Sequence, residues 1–283
     1  MNESIVRTLS GVVYIVLLLG ATLLSPESFI LLFGIFMLIA IVEFCRLANI
    51  GKTIPIIIGI AGFLLFSPIG LLLLIPYSVT DIYNNLLLNA GAILIDIALL
   101  IELFKQGPSV SRDRTGKLAR LIGYVIIPFL LIIRLPLLIP GIYTPYIIIG
   151  SFVLIWTNDT FAYIVGKTMG RHKLLERISP KKTIEGFLGG MVFTIIGAYI
   201  LTRFDIFITP VFNSFLTWFG AAVILVIFGT LGDLVESQLK RKAGVKDSGN
   251  IMPGHGGILD RLDSIIFAIP FLFLYYQILT YVS

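Results

Sequence analysis

The chain has 283 residues, 57% of them hydrophobic and 13% charged, with a mean hydropathy of +1.01, whereas soluble domains carry about 25% charged residues. That composition excludes a water-soluble globular protein and predicts an integral membrane protein, in which the net charge of +5 reports topology and lipid contact rather than nucleic acid. A single cysteine, Cys45, and two separated histidines exclude an internal disulfide and a Cys/His zinc centre, so any metal must take oxygen ligands.

A bilayer crossing takes about 20 mostly apolar residues. Nine segments qualify: 8–24, 28–48, 54–76, 83–104, 121–140, 143–166, 184–202, 215–239 and 264–281. The first follows Arg7 like a signal peptide but lacks a convincing small-residue cleavage pattern, so it reads as a retained helix. Pro68 interrupts the third span, and Pro128 and Pro136 the fifth, which predicts a kink or re-entrant turn in each. Loops on the cytoplasmic side are enriched in Lys and Arg. Of 21 basic residues, 19 fall at the N-terminus or in the second, fourth, sixth and eighth loops. The expectation is an all-α polytopic protein of about nine crossings, N-terminus cytoplasmic and C-terminus outside. It forms one membrane domain, 1–283, in which 1–140 has no assigned role and 143–283 carries the polar stretches.

Those stretches come in chain order. In "WTNDTFAYIVGKTMGRHK", Asp159, Tyr163, Gly166, Lys167 and Gly170 recur at helical spacing toward the basic sixth loop. "GKT" suggests a phosphate loop, but Phe161 stands where that motif needs glycine and no strand precedes it. In "ISPKKTIEGF", Pro180 suits the first turn of the seventh helix. Lys181, Lys182 and Thr183, with the N–H groups of that helix start, would then form an anion site; an interfacial anchor explains the lysines equally well. In "FGTLGDLVESQLK", Asp233, Glu236, Ser237 and Lys240 share one helix face. Asp233 lies roughly 10 Å deeper than Lys240 at 1.5 Å per residue, where a carboxylate calls for a cation.

The last stretch, "KRKAGVKDSGNIMPGHGGILDRLDS", sets Lys240, Arg241, Lys242, Lys246 and Arg261 against Asp247, Asp260 and Asp263, with His255 among glycines. Asp260 and Asp263 either bind a hard cation together or act as carboxylates at a helix start. His255 is either an acid/base group or a hydrogen-bonded loop residue. Glu43, Asp96 and Glu102 lack basic or hydroxyl neighbours at helical spacing and read as structural or interfacial. Embedded carboxylates beside many cations describe a site for Mg²⁺ and a polyphosphate, suited to phosphoryl or nucleotidyl transfer.

Residues 237–264 resemble the signature of the phosphatidate cytidylyltransferases (CDP-diacylglycerol synthases). They carry its Ser, Lys-Arg, Lys-Asp, Pro-Gly-His-Gly-Gly and Asp-Arg-x-Asp elements, and the likeness extends over about 156–264. The resemblance implies a polytopic, Mg²⁺-dependent, homodimeric enzyme converting CTP and phosphatidate to CDP-diacylglycerol and diphosphate. It places the metal on Asp233 and Asp260, with Asp263 and Asp159 next and a second cation allowed. Lys240, Arg241, Lys246, Arg261, Lys181 and Lys182 would hold phosphates, Ser237 and His255 would shape the pocket, and Asp247, Lys167 and Thr183 complete the substrate-binding set. A CTP-dependent polyprenol kinase would move the γ-phosphate instead, and an ion-coupled transporter would bury its charges near mid-bilayer.

Overall fold

The computed structural model describes residues 3–67, 80–105, 113–139, 142–207 and 214–282. Its helices are α1 (Glu3–Leu24), α2 (Pro26–Ala48), α3 (Thr53–Phe66), α4 (Thr80–Phe104), α5 (Arg114–Leu121), α6 (Ile127–Arg134), α7 (Pro145–Met169), α8 (Ile184–Leu201), α9 (Phe215–Lys242) and α10 (Leu259–Val282). A π-helical segment, Ile122–Ile126, joins α5 to α6 in one rod. It lies just ahead of Pro128, which has no N–H to return to the preceding turn. The predicted irregularity of the fifth span therefore takes the form of a widened turn, followed by a 3₁₀ turn at Leu135–Leu137 around Pro136.

Among the described residues, eight helical stretches are long and apolar enough to cross a bilayer, with Arg114–Leu137 counted as one. The sequence reading has nine. The difference is α3, whose 14 residues fall short of a crossing; the remainder of that predicted span, beyond residue 67, lies outside the described residues. Arg134 Nε donates to the carbonyl of Phe66 at 2.8 Å, so α3 still runs from the end of the bundle that holds Ala48 toward the end that holds Arg134. Leu24, Leu87, Leu94 and Leu216 are each at least two-thirds exposed on the outer surface. Such side chains are at home in lipid and unfavourable in water. Inside, Phe29, Phe33, Tyr124, Phe129, Phe152, Trp218, Phe267 and Phe273 are fully buried.

One element departs from the all-α expectation. The sixth loop folds into an antiparallel hairpin, β1 (Lys173–Leu175) with β2 (Ser179–Thr183). Pro180 stands in β2, not in a helical turn as predicted, and a two-stranded ribbon tolerates its missing donor because every strand is an edge. α8 starts at Ile184, where the Thr183 hydroxyl caps it by accepting from Gly186 N at 3.1 Å. A Cβ on Gly186 would lie 2.7 Å from the Ala162 carbonyl, so α8 docks on α7 as closely as backbone allows. That contact carries β2 and Lys182 to the side of α9.

The basic helix ends gather at one end of the bundle. Arg120 at the end of α5 and Lys242 at the end of α9 both pair with Glu102 at the end of α4. Arg177 in the hairpin turn donates to the Leu103 carbonyl at 2.7 Å.

Candidate active site

The polar face of α9 meets α10 and the hairpin at this end. Glu236 is fully buried and Lys240 is its partner: Lys240 Nζ lies 2.6 Å from Glu236 Oε2 and 2.7 Å from Asp260 Oδ1. Lys240 thus ties α9 to the first turn of α10, one cation shared between two buried carboxylates. One turn deeper, Asp233 Oδ1 accepts from the Ser237 hydroxyl at 3.2 Å. Its other oxygen pairs with Lys182 Nζ at 2.5 Å, which draws β2 onto α9.

The segment between α9 and α10 is shaped by two carboxylates. Asp260 Oδ2 accepts from Ser248 N at 2.8 Å, Ser248 Oγ at 2.8 Å and Gly257 N at 2.7 Å. Glu43, reaching across from α2 and 5% exposed, accepts from Ile258 N at 3.1 Å and Leu259 N at 2.8 Å. These are the amide donors that a helix start leaves without intrahelical partners, and a carboxylate there also complements the helix dipole. A Cβ on Gly257 would sit 2.4 Å from Glu43 Oε1. Gly256 has φ +86°, a left-handed conformation, and its Cβ would sit 2.5 Å from Asp260 Oδ2. The glycines of "PGHGG" are therefore required by close approach and by backbone conformation at once.

The turn itself closes with Met252 N to Gly256 O at 3.0 Å and His255 N to Met252 O at 2.9 Å. α1 lies against it. Ser10 Oγ is 2.8 Å from His255 Nδ1 and donates within reach of the Pro253 carbonyl at 3.0 Å. Burial, with the nearby Arg261 and Arg7 cations, holds the His255 imidazole below its ordinary pKa.

A cleft of about 230 Å³ opens between α1, α7, α10 and this turn. Asp159, Arg261, Asp263 and His255 supply its polar wall, and Phe152 and Trp156 its apolar one. Asp159, Asp233 and Asp263 lie within electrostatic range of one another, with Lys182 the cation among them. Among the described residues, no three His, Cys, Asp or Glu side chains converge into a ready metal cage. The three aspartates offer hard oxygen donors, with Lys182, Lys240 and Arg261 the cations around them.

Two comparisons bear on what this arrangement is. The model of the cytidylyltransferase family matches residues 5–279, nearly the whole chain. The chain belongs to the cytidylyltransferase family. A phosphatidate cytidylyltransferase of Staphylococcus haemolyticus is 36% identical over 268 residues, covering 94% of this chain and 96% of that protein. The phosphatidate cytidylyltransferases of Staphylococcus aureus strain COL and Staphylococcus epidermidis are 51% and 50% identical over 125 residues, 44% of this chain and 46% of each.

In this cytidylyltransferase the structure brings together Asp159, Lys182, Asp233, Ser237, Lys240, His255, Asp260, Arg261 and Asp263 from the set the sequence singled out. The others stand apart from that group. Lys167 lies over the exposed Tyr163 ring, 5.6 Å from its centroid. Lys181 is exposed, its neighbour Lys182 alone reaching α9. Thr183 spends its hydroxyl oxygen on the α8 cap. Arg241 donates to the Val245 carbonyl at 3.4 Å, and Lys246 and Asp247 are exposed. Three contributors escape sequence reasoning: Glu43, Ser10 and Ser248, to which it gives no role in the site; Glu236 and Lys240, four apart on one helix face, form the local pair that helical spacing allows. A carboxylate in an apolar span was the available signal for Glu43.

Proposed function

We propose that the protein is a phosphatidate cytidylyltransferase, with its site in the cleft between α1, α7, α10 and the turn before it, beside the ion pair that joins β2 to α9. It transfers the cytidylyl group of CTP to phosphatidate and yields CDP-diacylglycerol and diphosphate. The observation that carries the reading is the Lys182–Asp233 ion pair set beside Asp159, Asp263 and Arg261. Opposite charges from three separate polar stretches meet there next to an apolar wall.

A phosphatidate oxygen attacks the α-phosphorus of CTP in line; that P–O bond forms as the bond to the β-phosphate bridging oxygen breaks. The attacking group already carries negative charge near neutral pH, since a phosphate monoester has its second pKa near 6, so no side chain has to remove a proton. The chemistry needs charge neutralisation and alignment. To hold Mg²⁺, Asp233, whose oxygens are engaged by Ser237 and Lys182, would have to turn toward Asp159 and Asp263; the metal would supply Lewis-acid stabilisation of the phosphates. Asp260 was the other metal ligand expected from the sequence. Because it accepts four bonds, from Lys240, Ser248 and Gly257, against two at Asp233, we assign it instead to holding the segment before α10 in shape. Lys182 is shared between Asp233 and an incoming phosphate, and Arg261 faces the cleft to receive another. Lys181, Arg241 and Lys246 add positive potential around the mouth.

The basic end of the bundle is assigned to the cytoplasm by the distribution of Lys and Arg, which puts the C-terminal end of α10 outside and admits CTP from water and phosphatidate from the leaflet. A homodimer is part of the same proposal. Purified protein in detergent, given radiolabelled CTP, phosphatidate and Mg²⁺, is expected to form a CDP-lipid and diphosphate. A phosphorylated lipid with CDP as co-product would overturn the proposal in favour of a lipid kinase.

A further inference from the structure

On the same end of the bundle, but on the opposite side of α9 from the cleft, a second cavity of about 660 Å³ lies between the end of α2, α5 and the end of α9. It shares no lining residue with the catalytic cleft. Arg46, Lys117, Arg120 and Lys242 line it, and Phe44 and Leu239 contribute apolar wall. Glu102, 4% exposed, pairs with Arg120 at 2.6 Å and with Lys242, so two of the four cations are fixed in place. Neither Arg46 nor Lys117 has a carboxylate partner among the described residues. Among the described residues, four cations against the one carboxylate of Glu102 leave a net charge of +3 around the cavity.

We infer that this cavity binds the head group of an anionic phospholipid other than the substrate. A positive cavity with a partly apolar wall selects a ligand that is both phosphorylated and amphipathic. Its place decides between a lipid and a soluble anion. The lining residues come from the ends of bilayer-length helices, Pro26–Ala48, Arg114–Leu137 and Phe215–Lys242, the level at which head groups lie and juxtamembrane Lys and Arg attract them. The site also touches the catalytic framework. Arg46 is three residues beyond Glu43 on α2, and Lys242 is two beyond Lys240 on α9, so a bound head group braces both helices that hold the segment before α10.

The test measures binding, not turnover, so it stands whether or not the proposed reaction is correct. Native mass spectrometry of the full-length protein in neutral detergent would titrate phosphatidylglycerol against phosphatidylcholine. The wild type is expected to retain phosphatidylglycerol selectively. An Arg46→Gln/Lys117→Gln variant, which leaves the Glu102 pairs intact, is expected to bind it about 25-fold more weakly, from about fivefold per basic residue near an anionic head group. An Arg46→Lys/Lys117→Arg variant is expected to bind normally, which separates loss of charge from loss of fold. Arg261→Gln, in the other cleft, is expected to leave this binding unchanged. Undiminished binding by the double Gln variant would overturn the inference, as would displacement of the lipid by millimolar inorganic phosphate, which would mark a site for soluble anions.

Discussion

Replacing Glu43 by Gln tests whether a side chain on the second helix sets the geometry of an active site more than 200 residues away. In the wild type its two oxygens each take one backbone N–H, from Ile258 and Leu259. Gln is nearly isosteric but keeps only one acceptor oxygen, and it turns an NH₂ group toward the second amide. The loss is one charge-assisted bond, about 1.5–3 kcal/mol, together with a buried donor left facing another donor, about 1–3 kcal/mol. Part of the favourable dipole term, about 0.3–1 kcal/mol, goes with the charge. Allowing for overlap between these terms, the segment before α10 should be destabilised by about 2–4 kcal/mol, enough to open it locally while the apolar helices stay folded. Ser248 and Gly257 would then no longer present their donors to Asp260. The assay is CDP-lipid formation with kcat and KM for CTP resolved, alongside hydrogen exchange of the 247–260 segment. We expect kcat/KM to fall at least tenfold and amide protection across 257–260 to be lost, with Glu43→Asp intermediate. If Glu43→Gln keeps kcat/KM within twofold of wild type and protection is unchanged, the positioning role is refuted.

Other outcomes follow from the same geometry. Asp233→Asn and Asp263→Asn, checked for expression, are each expected to lower CDP-diacylglycerol formation at least 100-fold at saturating Mg²⁺; activity near wild type for either would remove the aspartate cluster from the mechanism. Chelation with EDTA should abolish turnover and added Mg²⁺ restore it, read as diphosphate released. Lys240→Met leaves Glu236 and Asp260 as uncompensated buried charges, a loss of about 3–5 kcal/mol. Adding Glu236→Gln should recover part of it, measured as thermal stability in detergent. Because the folded state lowers the His255 pKa, the unfolded chain binds the proton more readily and stability from this group rises with pH. The stability advantage of wild type over His255→Gln should therefore be full above the ordinary imidazole pKa of about 6.5 and shrink on acidification; an advantage that grows on acidification would reverse the assigned environment.

What could be read in the sequence divides along the range of the interactions. The α9 face was legible because Asp233, Glu236, Ser237 and Lys240 are spaced by the helix itself. The identity of their partners was not: Lys240 reaches Asp260 and Asp233 reaches Lys182 only after α9, α10 and the hairpin have packed. The long apolar helices followed from hydropathy, whereas α3 and the π segment depend on how a proline-bearing rod and its neighbours settle. The hairpin was missed because "SPKKT" carries no apolar alternation; it pairs by backbone bonds and by the reach of Lys182. Glu43 has no local side-chain partner in the sequence; its partners are the amides of Ile258 and Leu259, which no side-chain pattern reveals.

The hold of Glu43 on Ile258 and Leu259 also orders events during synthesis. α1 and α2 leave the ribosome and enter the bilayer long before residues 257–259 exist, so the Glu43 carboxylate must wait at the membrane surface, hydrated, until the last helix arrives to claim it. Ser10 waits in the same way for His255. A nascent chain that stops short of α10 therefore has neither a shaped turn nor an assembled site. Insertion of α10 and assembly of the candidate site become the same event.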